Sequence, residues 1–383
     1  VALKRDRAFW AIAFQSAIVS FYVGGFAPAQ PLLRAQQHTS LTVAGLHGTA
    51  MGIASILAGL FSPKLVHRLG RATTSWLGLS IFCVGILMFV FSPPVQLTLA
   101  ATFIAGFGTS TVVISMVTQL SHHFPKHQGS AISQGSGIAS GGYVMGTLIV
   151  GAIAATSFDW RLGLILVVPF SIFLYLLMHS TIATEHIPDE TGPQKGSLNR
   201  KFWISWIGFV ACTSSEFATT FWAAALLRDR LNSSAAISTI SIVALSGGMG
   251  LGRWFGPQAL KQITRDNQLK YVMITQFLGF GTLWFSHTLW ISLIALGVAG
   301  IGISMQFALT STRLIGFSDG RSDLAIGRSS LGSGVAIAGA PFILGVLGDH
   351  YGISRAYLMV PALILIAFLT IVAIPSEQST LAE

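Results

Sequence analysis

Phe61-Ser62-Pro63-Lys64-Leu65-Val66-His67-Arg68-Leu69-Gly70-Arg71 closes one apolar stretch and opens the next. Half a chain later the same frame returns, with Phe255-Gly256-Pro257 in the place of Phe61-Ser62-Pro63 and Arg265 in the place of Arg71. The correspondence runs outward from here in both directions. Phe9-Trp10 recurs as Phe202-Trp203, and Leu32-Leu33-Arg34 recurs as Leu226-Leu227-Arg228. Ala105-Gly106-Phe107-Gly108 recurs as Ala299-Gly300-Ile301-Gly302, and Gly135-Ser136-Gly137 as Gly332-Ser333-Gly334. The 383 residues are therefore two versions of one design. Each version holds several apolar segments long enough to cross a bilayer, and paired repeats around a central site suit a carrier that opens to two faces in turn.

Composition supports membrane insertion. Charged residues are 9% of the chain and the mean hydropathy is +0.70, whereas a soluble chain carries about 25% charge. The apolar segments fall at 8–31, 41–62, 73–92, 97–120, 129–154 and 162–182, then at 202–226, 235–258, 270–286, 289–313, 327–347 and 354–374. We therefore expect an all-α membrane protein with twelve transmembrane helices, arranged as two pseudo-symmetric six-helix bundles. The expected domains are an N-terminal bundle over 1–183, a linker over 184–200 and a C-terminal bundle over 201–383. The linker segment mixes Pro188, Pro193, Gly192 and Gly196 with both signs of charge, as a solvated connection does.

The net charge of +9 is explained by loop placement rather than by a nucleic-acid partner. All Lys and Arg except Arg34, Arg161, Arg228, Arg230 and Arg355 fall on one set of loops. The positive-inside rule places that set, the linker and both termini in the cytoplasm. The first apolar segment continues for about 22 residues without a small-residue cleavage site, so it reads as a membrane helix rather than a signal peptide. Cys83 and Cys212 lie inside apolar segments and read as packing residues rather than a disulfide. No metal-ligand spacing, phosphate loop or nucleophile–base spacing is present, so neither a cofactor nor an enzymatic reaction is expected.

Residues 63–71 resemble the signature cytoplasmic loop of the major facilitator superfamily, Gly-x-x-x-Asp-Arg-x-Gly-Arg. Arg68, Gly70 and Arg71 match, while Pro63 stands for the first Gly and His67 for the Asp. Phe124-Pro125 with Gly129-Ser130-Ala131 resembles the family's loop before the fifth helix, and Asp159-Trp160-Arg161 resembles its turn before the sixth. Gly137, Gly141 and Gly146 resemble the fifth-helix glycine pattern of family antiporters, with Gly142 and Met145 replacing a Pro and a further Gly. Thr102 stands where drug–proton antiporters commonly place an Arg. The resemblance implies the family's two-bundle fold, a generally monomeric carrier, and a cytoplasmic gate at His67, Arg68, Gly70 and Arg71. A neutral His67 supplies no fixed negative charge there and makes the gate responsive to pH.

Of the 13 acidic residues, Glu216 alone lies well inside a predicted helix. A carboxylate at that depth must be protonated, paired or hydrated. Glu216 is therefore the candidate proton carrier, with a structural hydrogen bond to Ser214, Ser215 or a facing helix as the alternative. His47 is the second candidate, counted at a similar depth below the outer surface. A Glu216–His47 pair would act on an outer gate, and a hydrogen-bonded packing histidine is the alternative. The resemblance implies a cavity lined by the first, fourth, seventh and tenth helices. Gln15, Tyr22, Gln119, Phe217, Trp222, Gln306 and Thr310 are then candidate substrate contacts, the aromatics also fitting as packing.

No Lys or Arg is expected in the middle third of any helix, Arg253 and Arg313 being placed near cytoplasmic ends. One buried acid without a base suits a neutral, lipophilic or cationic substrate. The leading expectation is a secondary active transporter of the bacterial inner membrane that exports small amphipathic or cationic compounds in exchange for protons. A proton-coupled importer of a small neutral metabolite and a lipid or lysolipid carrier are the alternatives. The expected partners are a small-molecule substrate, protons and the lipid bilayer.

Overall fold

The computed structural model describes residues 5–39, 41–125, 127–154, 156–181, 196–231 and 235–376. Among these residues every regular element is a helix. The chain divides into two compact units, Val1–Lys195 and Gly196–Glu383. Residues 184–195 of the expected linker lie outside the described residues.

The first unit contains α1 (Arg7–Gln37), α2 (Leu41–Leu69), α3 (Arg71–Phe91), α4 (Val95–His123), α5 (Gln128–Ala154), α6 (Arg161–Ile165) and α7 (Val167–Met178). The second contains α8 (Arg200–Leu231), α9 (Ala235–Ala259), α10 (Arg265–Phe285), α11 (Leu289–Ser304), α12 (Gln306–Gly316), α13 (Ser322–Tyr351), α14 (Ile353–Ala356) and α15 (Met359–Ala373). Three expected crossings are interrupted. α6 and α7 are one crossing broken at Leu166, α11 and α12 one broken at Met305, and α14 and α15 one broken at Tyr357-Leu358. Joined in this way, the helices make twelve crossings, six in each unit.

Among the described residues, nine crossings are apolar and long enough to span a bilayer on composition alone. The crossings formed by α8, α9 and α10 are more polar. α8 carries Glu216, α9 carries Arg253 among glycines and serines, and α10 carries Gln268, Lys270 and Gln276.

Close backbone approach sets the packing of the first unit. α1 packs most extensively on α5. A Cβ at Gly142 would overlap the carbonyl of Ala17, and one at Gly146 the carbonyl of Phe21. Lipid tails are as apolar as the helices, so association depends on van der Waals fit, and small residues maximise it. An aromatic cluster packs between α1 and α3 of this unit. Tyr22 lies 5.7 Å from Phe82 and 6.3 Å from Phe89, ring centre to ring centre, both edge to face.

In the second unit, Phe280 and Tyr357 stack at 6.0 Å, and the Tyr357 hydroxyl donates to the Thr219 carbonyl at 3.1 Å. That bond ties the α14–α15 break to α8. At the opposite end, Arg313 on α12 pairs with Asp266 at the start of α10 and also donates to the Ile374 carbonyl. Asp266 accepts in turn from the Ser376 amide at 2.7 Å.

The segment 63–69 is helix rather than loop, because α2 continues to Leu69. The turn that follows is Gly70 alone, with φ of 79° and its amide donating to the Val66 carbonyl at 2.8 Å. This positive-φ conformation turns the chain sharply between α2 and α3, and glycine adopts it without a Cβ penalty.

Candidate functional site

The second unit holds a largely buried ion pair. Arg253 Nη2 on α9 lies 3.1 Å from Glu216 Oε1 on α8, with side chains 14% and 16% exposed respectively. This corrects the expectation of an acid without a base. The hairpin geometry explains it. Glu216 stands roughly 22 Å before the end of α8 and Arg253 roughly 27 Å past the start of α9, at 1.5 Å per residue. The two are therefore near one level, and the long arginine side chain covers the difference. The sequence count ended the seventh crossing at 226, whereas α8 continues to Leu231 and places Glu216 further from the α8–α9 turn.

Arg253 makes a second bond, from Nε to the Ser304 carbonyl at 3.1 Å. Ser304 is the last residue of α11, where helix carbonyls lack intrahelical partners and favour a cation. One guanidinium thus spans a carboxylate and a helix C-terminus. Beside it runs a neutral chain of hydrogen bonds. Gln306 Nε2 donates to Gln276 Oε1 at 2.6 Å and to the Gly302 carbonyl at 3.0 Å. Gln276 Nε2 donates to Ser215 Oγ at 3.2 Å, and Ser215 donates to the Cys212 carbonyl at 2.8 Å. Gln276 and Gln306 are buried, so these bonds are made in a site that disfavours any unpaired polar group. Gln276 was not among the residues singled out from the sequence, though a glutamine in the middle of an expected crossing is the signal that marks it.

The remaining candidates of this unit have the following surroundings. Thr310 donates to the Gln306 carbonyl one turn earlier. Phe217 is half-buried, its ring 6.4 Å from Phe221. Trp222 donates its indole N–H to the Pro341 carbonyl on α13 at 2.9 Å.

In the first unit, His47 is buried, and its Nε2 lies 3.1 Å from Thr98 Oγ1. The same Thr98 hydroxyl also lies 3.0 Å from the Val95 carbonyl and accepts from Gln37 Nε2 at 3.1 Å. Phe26 and Phe89 flank the imidazole at 6.0 and 6.5 Å. Within the units, then, Glu216 and His47 each have a partner of their own.

Gln15 and Tyr22 on α1 are fully buried, and Gln15 Nε2 makes no hydrogen bond among the described residues. The same holds for Ser115 Oγ and Gln119 Oε1 on α4. Buried polar atoms without partners demand water or a ligand. Gln119 Nε2 donates to the Arg71 carbonyl at 3.1 Å, which joins the end of α4 to the start of α3.

The gate candidates cluster at that same end. His67 and Arg68 occupy the last turn of α2, Gly70 makes the turn, and Arg71 opens α3. The Arg71 guanidinium meets the His122 ring at the end of α4.

A sequence profile described as Major Facilitator Superfamily matches residues 12–312. Solved structures share the fold at low identity. The human organic anion transporter MFSD10 (TETRAN) matches with a TM-score of 0.76 and 14% identity, over 96% of this chain and 100% of that one. The proton:xylose symporter XylE matches with a TM-score of 0.74 and 13% identity, over 98% of each chain. The transporter FucP in an outward conformation matches with a TM-score of 0.72 and 14% identity, over 94% of this chain and 97% of that one.

Proposed function

This chain belongs to the Major Facilitator Superfamily and is a multi-pass membrane transporter of small molecules, not an enzyme, and from that premise we propose that it couples proton movement to the carriage of a small uncharged polar metabolite. The Glu216–Arg253 pair carries the reading. The carboxylate is answered by a guanidinium at 3.1 Å, so the site bears no net charge and does not select a cation. The export of lipophilic cations rested on an acid without a base, and the pair removes that argument. Unpartnered amide and hydroxyl groups on α1 and α4 favour a substrate that hydrogen-bonds. Proton:sugar symporters among the fold relatives are compatible with this choice.

In this mechanism, an ionised Glu216 holds Arg253. Protonation on one face discharges the carboxyl, loosens the pair and lets the two bundles rock; loss of the proton on the other face restores it. Gln15, Tyr22 and Gln119 contribute substrate contacts from the first bundle, and Gln306 and Thr310 from the second. His47 anchors the outer part of the first bundle, and His67, Arg68, Gly70 and Arg71 form the gate at the cytoplasmic face, where the termini also lie. The protein works as a monomer in a bacterial inner membrane.

The test is transport in proteoliposomes under an imposed pH gradient, with a panel of neutral metabolites and lipophilic cations. We expect a neutral compound to accumulate with the gradient, and Glu216→Gln to retain exchange while losing accumulation. Gradient-driven expulsion of a cation, or an unchanged Glu216→Gln, would overturn the reading.

A further inference from the structure

The break between α11 and α12 is held from both sides by neighbouring residues of α8. On one side, the Ser304 carbonyl accepts from Arg253, which also holds Glu216. On the other, Gln306 donates to Gln276, which donates to Ser215. Met305 stands between the two ties, with φ of −100° and ψ of −6°, outside both helices. α9 lies directly against the break, Gly252 beside Ser304 and Gly256 beside the Met305 sulfur.

The two ties differ in chemistry. The tie through Arg253 depends on a carboxylate and answers to protonation; the tie through Gln276 uses amides and a hydroxyl and does not. We propose that Met305 is a hinge whose angle is set by the protonation of Glu216, with Arg253 and Gln276 as its positioning residues. This rests on the reading of Glu216 as the coupling group.

When Glu216 is ionised, the guanidinium is shared between the carboxylate and the end of α11, and the break is fixed on both sides. When Glu216 is neutral, the guanidinium keeps its attraction to the Ser304 carbonyl and loses its charged partner on α8. The tie of α11 to α8 is then reduced from an ion pair to a hydrogen bond with a neutral carboxyl, while the tie of α12 through Gln276 is unchanged. Motion about Met305 follows, because one side of the joint is weakened and the other is not.

Arg253 is the charge that acts on the Glu216 carboxyl. Cys212, one turn away on α8, is the nearby titratable thiol. Arg313 of α12 is taken up by Asp266, and Arg328 of α13 offers its carbonyl to Trp206. Asp349 and His350 lie at the end of α13, Arg355 on α14, Arg200 and Lys201 at the start of α8, and Asp229 and Arg230 at its end.

The experiment is a spin-label distance measurement along the broken crossing, in the full-length protein with Cys83→Ala and Cys212→Ala. Labels at Ile294→Cys and Gly316→Cys would lie roughly 33 Å apart along the axis. Ile294 is exposed, and a side chain at Gly316 meets open space. We expect the mean distance to shift reversibly with pH. Glu216→Gln should hold the low-pH distance at every pH. Arg253→Lys, which keeps the charge but cannot fork between two acceptors, should also lose the response. Gln276→Leu should broaden the distance distribution at both extremes of pH. A distance that ignores pH in the parent protein, or one that still responds in Glu216→Gln, overturns the hinge. If Glu216→Gln nevertheless loses coupled accumulation, the hinge alone has failed; if it accumulates substrate normally, the coupling assignment has failed.

Discussion

Arg71 and His122 face each other across the start of α3 and the end of α4, with Nη2 and Nε2 at 3.0 Å. Arginine donates and never accepts, so His122 is the acceptor and must be uncharged at that nitrogen. Protonating His122 replaces a hydrogen bond with a repulsion between two cations. Acidifying this face alone should therefore slow transport. His122→Gln, which accepts through its amide oxygen at any pH, should remove that loss. The check is the initial rate against pH on one face with the other held constant; an identical profile in the variant would exclude the contact from gating.

Arg253→Ala should destabilise the protein by about 3–5 kcal/mol, because it leaves a buried carboxylate without its counter-charge. Adding Glu216→Gln to that variant should recover much of the loss, since the uncompensated charge then disappears. Thermal unfolding in detergent of the four members of this cycle measures the coupling. Additive effects would show that the two residues stabilise the fold independently.

Trp222→Phe removes the donor to the Pro341 carbonyl and keeps most of the ring's packing. Stability should fall by about 1 kcal/mol, with the substrate KM unchanged. A raised KM at unaltered stability would instead place the indole in the substrate path.

Gly146→Leu should impair folding by about 1–3 kcal/mol or more, through overlap with the Phe21 backbone. Gly141→Ala, on the same helix with nothing within 4 Å of the added carbon, is the control and should be neutral. Equal losses in the two variants would point to helix propensity or flexibility rather than close approach.

Asp6 bears on acid stability. Partial burial opposes its ionisation, but the Phe9 amide at 2.9 Å and the His123 ring at 2.6 Å outweigh that and hold the carboxyl below its ordinary value. A group whose folded pKa is lowered stabilises fully above its unfolded pKa and loses that contribution as pH falls through the folded one. Asp6→Asn should lower stability at neutral pH, leave it little changed in acid, and so flatten the acid limb of the stability curve. A steeper acid limb in the variant would contradict the sign.

The architecture was legible because repetition and hydropathy report directly on it. Phe61-Ser62-Pro63 and Phe255-Gly256-Pro257 disclose the duplication, and Arg68, Gly70 and Arg71 disclose the family. Glu216 was visible as the acid lying well inside an expected helix. Its partner was not, because depth was counted from the wrong end of each helix. Counting from the α8–α9 turn brings Arg253 level with Glu216. The breaks at Leu166, Met305 and Tyr357 were also hidden, since none carries a proline or glycine at the interruption itself. They are tertiary features: Tyr357 is held by Thr219, and the ends at Met305 by Arg253 and Gln276. The same applies to Trp222, whose partner is a backbone carbonyl more than a hundred residues away.

The pairing of Arg313 with Asp266 has a consequence for the order in which the protein is made. Both charges lie on helices synthesised well before Ile374 and Ser376, whose backbone groups complete their coordination. Until those residues leave the ribosome, the junction of α10 and α12 is charged and incompletely satisfied. A chain cut just before Ile374 would therefore keep the Arg313–Asp266 pair but lose two of the backbone partners that complete it.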